Sequence, residues 1–232
     1  YLFEATPHLP RQLHKLEQQA KDFALSGVFL THAHIGHYAG LMFFGHESMG
    51  ARNVPVFAMP RMMDYLGTNG PWSQLVAYNN IALRPLAHNR TENLSGLGVT
   101  PFLVPHRDEF SETVGYSIQG PNKTALFIPD INKWSVWERD IAEVIKTVDY
   151  ALLDATFFGA GELPGRDMSR VPHPLVTETM AALAGLGPEQ RKKVWFIHMN
   201  HTNPLLDPKS EEAMLVRAAG YNIATEATRL DL

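Results

Sequence analysis

The 232-residue sequence contains no cysteine. That excludes disulfides and thiolate metal sites, so any metal must be held by His, Asp or Glu. No apolar run reaches the roughly 18–20 residues that cross a bilayer. Charge is sparse too: 19% of residues are charged and the formal net charge is −4. Composition therefore gives no reason to expect a nucleic-acid surface. An initial methionine is also missing, and Tyr1-Leu-Phe already reads as a strand. The chain is therefore read as processed or truncated, with a signal peptide or further N-terminal strands as the candidates for what precedes it. What is present is a hydrophobic content of 45%, that of a soluble globular protein. The cytoplasm and the bacterial periplasm both stay open as its location. The length fits one domain, residues 1–232, with ample core.

Strand and helix signals alternate. Residues 1–5 read as a strand, and Pro10 opens a helix carrying Leu13, Leu16, Ala20 and Phe23 at helical spacing. Residues 28–30 form the next strand. A helix over 38–48 is expected to turn Leu41, Met42 and Phe44 inward, with Met49 also in the core. Strands follow at 54–58, 81–86, 99–104, 112–119 and 124–128, with 89–98 as a polar connection. A helix over 134–147, a strand at 150–153, a helix over 175–184, a strand at 194–197, a helix over 210–219 and a last strand at 221–224 complete the pattern. Residues 159–172 form a long loop containing Gly and Pro, suited to the rim of a site.

The feature that organises this pattern is Thr31-His-Ala-His-Ile-Gly-His37. An apolar run ends there, and three histidines, His32, His34 and His37, follow before small residues able to start a helix. A strand-to-helix turn can converge imidazoles, and imidazole is the commonest metal-binding side chain. Four further strand ends carry His or Asp: His106, Asp130, Asp154 and His198. In α/β folds ligands gather where strands end.

The histidine turn resembles the His-x-His-x-Asp-His signature of the metallo-β-lactamase superfamily, with Gly36 in place of its Asp. The resemblance runs over essentially the whole chain and implies an α/β fold, a four-layer αββα sandwich. It also implies a ligand order: His32, His34 and His106 for a first metal, His37 and His198 for a second, and Asp130 bridging them. Phe127-Ile-Pro-Asp-Ile131, Leu153-Asp-Ala-Thr-Phe157 and Phe196-Ile-His-Met-Asn-His-Thr-Asn-Pro204 look like the coenzyme PQQ synthesis protein B branch of that superfamily. Gly36 offers no ligand, which leaves open whether one metal or two are bound.

The expected function is a metal-dependent hydrolase acting on an ester, lactone, amide or phosphodiester. Zn(II), one or two ions, is the expected cofactor, with Fe or Mn as alternatives. Asp130 is the candidate proton acceptor. His173 and His201 are candidates to steady developing negative charge, each also open to a plain structural role. Asp154 is expected to orient a ligand imidazole, and Glu4 to be structural. Two rival readings stand beside this one: an iron-dependent oxygenase related to PQQ biosynthesis, and a non-catalytic binding protein with a degenerate site. The partner expected is a small-molecule substrate, with no nucleic acid and no membrane span; a homodimer stays open.

Overall fold

Short runs of β-branched and aromatic residues, which suit a pleated surface, build two sheets. The computed structural model describes residues 1–20 and 22–232. Its two sheets belong to two units, Tyr1–Arg90 with Asp108–Val114 and Thr91–Arg107 with Gly115–Leu232.

The first unit contains β1 (Leu2–Phe3), α1 (Leu9–Gln19), β2 (Val28–Phe29), α2 (Ile35–Tyr38), β3 (Val54–Ala58), α3 (Pro60–Thr68), α4 (Trp72–Ala77) and β4 (Ile81–Pro85). Its strands lie in the order β1-β2-β3-β4, every pair parallel. Parallel pairing needs crossovers, and the helices between these strands supply them. Leu9 and Leu13 of α1 pack with Val28, Leu30, Val56, Met62 and Leu66 in one core. Phe29 lies flat between Phe3 and Phe57, with ring centroids 5.1 and 4.3 Å away. This ladder ties β1, β2 and β3 together on one face of the sheet. Prolines at the starts of α1 and α3 occupy positions where a missing N–H costs nothing.

The helix after the histidine turn differs from expectation. It begins at Ile35, directly after His34, and tightens into a 3₁₀ stretch over Ala39–Phe44. Three residues per turn bring Leu41 and Phe44 onto the same buried line and carry Met42 off it. Met42 is 52% exposed and Met49 43% exposed, so neither is a core residue. Gly40 is where this segment crosses the end of β1. Its N–H bonds Ala5 O at 2.8 Å, and a Cβ there would strike the carbonyls of Thr6 and Ala5.

The second unit holds β5 (Glu92–Leu94), β6 (Leu97–Leu103), β7 (Val114–Gln119), β8 (Thr124–Ile128), α5 (Ile141–Lys146), β9 (Tyr150–Asp154), α6 (Val176–Ala182), α7 (Pro188–Arg191), β10 (Val194–Ile197), α8 (Glu211–Ala218) and β11 (Asn222–Ile223). The sheet order is β11-β10-β9-β8-β7-β6-β5. Strands β8 to β11 run parallel, while β7–β8 and β5–β6 are antiparallel. Strand β5 lies in the segment read as a loop. Glu92-Asn-Leu has little strand preference of its own, but a two-residue turn with Gly96 at φ 80° pairs Leu94 with Leu97. The helix expected over 134–147 is broken. Its N-terminal part is a 3₁₀ turn at Trp134–Val136. The α-helix starts only where the Asp140 carboxylate caps the Ala142 N–H at 2.8 Å. Among the described residues no helix is long and apolar enough to cross a membrane.

Candidate metal centre

Each unit presents a set of His and carboxylate donors. In the first unit, β2 runs into a fully buried stretch, with Leu30 0%, Thr31 1% and His32 1% exposed. Leu30 N–H bonds Phe57 O at 3.0 Å, prolonging the parallel pairing with β3 up to the histidine turn. Thr31 Oγ1 lies 2.8 Å from His32 Nδ1. His37 Nδ1 lies 2.7 Å from a Glu4 carboxylate oxygen, and the other oxygen of Glu4 accepts from Thr31 N–H at 3.2 Å. Glu4 has φ 80°, a conformation that costs a non-glycine residue free energy. Its carboxylate joins the strand end to the ring of His37. Glu4, expected to be structural, thus also stands against Nδ1 of His37, one of the expected metal ligands.

His34 Nε2 lies 3.2 Å from Glu109 Oε2, and its Nδ1 is 2.8 Å from His32 Nε2. The rings of His32 and His37 have centroids 4.2 Å apart. Each of the three imidazoles thus has one nitrogen against an oxygen of its own unit. Gly36 is exposed, and a Cβ built on it meets nothing within 4 Å.

In the second unit, His106 Nδ1 lies 3.3 Å from Asn132 Oδ1. The amide oxygen can only accept, so this contact places a proton on Nδ1. The ring's Nε2 is 3.3 Å from Asp130 Oδ2. Asp130 Oδ1 lies 3.0 Å from His173 Nδ1, which is also 2.9 Å from Asp154 Oδ2. One ring nitrogen is therefore shared by two buried carboxylates. Burial disfavours a charged ring, but the hydrogen bonds to Asp130 and Asp154, with the charges of both, outweigh it. The His173 pKa rises to about 10.

Asp154 is completely buried. Its Oδ2 accepts from Ile131 N–H at 3.2 Å, and its Oδ1 accepts from Thr156 N–H at 2.8 Å and Thr156 O–H at 2.7 Å. Thr156 Oγ1 also lies 2.9 Å from His198 Nδ1. A hydroxyl has a single proton, and Thr156 gives it to Asp154. The His198 contact must then run from Nδ1–H to the hydroxyl. His198 has φ 61°, the second positive-φ residue among these donors. The turn after it is held by Asn203, whose side-chain N–H bonds Ala155 O at 2.6 Å. His201 is exposed in that turn, outside the hydrogen-bonded cluster.

The donor chemistry fits a borderline metal such as zinc: imidazole nitrogens and a buried carboxylate, no sulfur. Of the partners that hold these rings, Glu109 and Asn132 went unmarked in sequence. Thr31 and Thr156 left a trace only as members of Thr31-His-Ala-His-Ile-Gly-His37 and Leu153-Asp-Ala-Thr-Phe157.

Comparison with known proteins places this geometry. A family model described as the beta-lactamase superfamily domain matches residues 1–199, a range that contains all of these donors and spans parts of both units. Coenzyme PQQ synthesis protein B of Xanthomonas campestris pv. campestris is 26% identical over 227 residues, covering 90% of this chain and 73% of the relative. The crystal structure of Zn(2+)-bound PqqB from Methylobacterium extorquens matches with a TM-score of 0.80 and 25% identity, over 100% of this chain and 83% of that one. The metallo-beta-lactamase fold protein YhfI from Bacillus subtilis gives a TM-score of 0.66 at 15% identity, over 96% and 83% of the two chains. That last likeness shows the fold alone.

Proposed function

This chain belongs to the beta-lactamase superfamily, has the metallo-β-lactamase fold and is similar to the coenzyme PQQ synthesis protein B branch; from that premise we propose that it is a metal-dependent hydrolase. One observation carries the reading: histidines and carboxylates gather where strands end, ring after ring with one nitrogen held against an oxygen of its own unit. Histidines that served only packing would not need their tautomers fixed in this way.

The ligand assignment follows the superfamily order and the donors available in each unit. His32 Nε2, His34 Nδ1 and His106 Nε2 would hold a first metal. His37 Nε2 and His198 Nε2, with a share of Asp130, would hold a second. Zinc is favoured because a similar protein is described as zinc-bound and because every donor is nitrogen or oxygen. When bound, zinc lowers the pKa of water from about 15.7 towards about 7 and so supplies hydroxide at neutral pH. Asp130 orients the attacking water and accepts its proton. His173, held cationic between Asp130 and Asp154, steadies negative charge growing on a carbonyl or phosphoryl oxygen and can return a proton to the leaving group. His201, exposed in the turn that follows His198, would be open to a substrate. Esters, lactones, amides and phosphodiesters all present the polarised centre that this chemistry needs.

The test is metal analysis of protein purified without added metal, paired with hydrolysis assays on one substrate of each class. Zinc at about one equivalent or more, with metal-dependent turnover of any of them, supports the proposal. Iron with oxygen-dependent turnover transfers the site to oxygenase chemistry. Absence of any transition metal ends the enzyme reading.

A further inference from the structure

Segment Asp108–Val114 leaves β6 and β7 and folds onto the histidine turn within the first unit. Four attachments hold it. Arg61 donates through its guanidinium to Asp108 O at 2.8 Å, and its backbone N–H reaches the Glu112 carboxylate at 3.0 Å. Ala33 N–H bonds Ser111 Oγ at 2.8 Å, and Val114 N–H bonds Thr31 O at 3.2 Å. Between the two residues pinned by Arg61 lies Glu109, with its carboxylate against His34 Nε2. The side chain of Glu109 is 51% exposed, so burial does not explain why it points there. The clamp on either side does.

We propose that Glu109 is the positioning residue that sets the tautomer and orientation of His34, and so decides which of its nitrogens can bind a metal. A carboxylate only accepts, so the ring proton of His34 must sit on Nε2. Nδ1 then carries no proton and can only accept, as it does from Nε2 of His32 at 2.8 Å. A carboxylate behind an imidazole also raises the basicity of the nitrogen opposite, which strengthens a metal bond. Without Glu109 the ring can flip or carry its proton on Nδ1, and either change closes the position. This inference rests on the reading of His34 as a ligand, and the two fail separately.

The experiment compares metal-stripped wild type, Glu109→Gln and Glu109→Ala. Long-range ¹H–¹⁵N correlations report the His34 tautomer, competition with a chromophoric chelator reports zinc affinity, and thermal melts confirm folding. Wild type should show the Nε2–H form. Glu109→Ala should lose that preference and bind zinc about 10–100-fold more weakly with an unchanged melt. Glu109→Gln keeps an acceptor oxygen and should retain the tautomer and most of the affinity. Two results overturn the inference: an unchanged His34 tautomer in Glu109→Ala, or, where the wild type binds zinc, a zinc affinity in Glu109→Ala equal to that of the wild type. A wild type that takes up no zinc defeats the ligand reading instead, and the tautomer then decides the role of Glu109.

Discussion

Nε2 of His32 and Nδ1 of His34 face each other across 2.8 Å, inside a turn whose strand end is fully buried. In the metal-free protein one of the two carries a proton and donates it to the other, and a metal bound by both nitrogens would take that proton's place. A ligand that binds only the folded state stabilises it by mass action.

Zinc at about 100 times its Kd should therefore add about 2.7 kcal/mol to the unfolding free energy. For a chain of this size that corresponds to a rise in Tm of roughly 5–10 °C. Melts with and without chelator measure it. His32→Ala should abolish the difference; a chelator-insensitive wild type would mean that no metal occupies this pair.

Gly36→Asp should fold as well as the native chain. The position is exposed, an added Cβ meets nothing within 4 Å, and a carboxylate in the first turn of a helix is favourable. Stability should change by less than about 0.5 kcal/mol. Metal content should rise, because the substitution supplies the one ligand of the superfamily signature that this chain lacks. Elemental analysis of both proteins after identical dialysis checks it, and equal content would show that Gly36 does not limit the second metal.

His173 makes the metal-free protein sensitive to base. Its pKa is raised from 6.5 to about 10 by Asp130 and Asp154 against the opposing effect of burial. Between those values the folded state holds a proton that the unfolded chain has lost. The stabilisation is therefore complete below about pH 6.5 and fades as pH rises through about 10, with a limiting slope of about 1.4 kcal/mol per pH unit. Urea unfolding in chelator from pH 6 to 10 should show that decline in wild type and a flatter profile in His173→Gln. Parallel profiles would place the proton elsewhere.

Much of this was legible because strand ends announce themselves. The runs before His32, His106, Asp130, Asp154 and His198 are apolar, and the switch to a polar residue marks where each run ends. Register is not written that way. That Glu109 meets His34, 75 residues earlier, depends on how segment Asp108–Val114 lies on the turn, and no local pattern encodes it. The same holds for Glu4 and His37. Helix type was equally hidden: Leu41 and Phe44 suit an α-helix or a 3₁₀ turn alike, and only Met42 distinguishes them by its exposure. The four-residue break before Ile141 escaped because Trp134–Lys146 has helical spacing throughout, while Asp140 at the cap looks in sequence like any surface acid.

Thr156 gives the sharpest test of how the second unit arms its histidine. Its hydroxyl gives a proton to Asp154 Oδ1 at 2.7 Å and takes one from His198 at 2.9 Å, so a buried charge and a ring tautomer hang on one oxygen. Thr156→Val keeps the volume and removes both bonds. Asp154 then keeps its two backbone donors and His173 but loses a charge-assisted bond, at a cost of about 1–3 kcal/mol. His198 becomes free to protonate at Nε2, and metal affinity should fall about 10–100-fold. Thr156→Ser restores the hydroxyl and should recover most of both losses. Urea unfolding of the metal-free proteins isolates the first effect, and chelator competition the second. If Val lowered stability but left metal affinity untouched, Thr156 would serve only Asp154, and His198 would have to be oriented by the strained backbone at φ 61° alone.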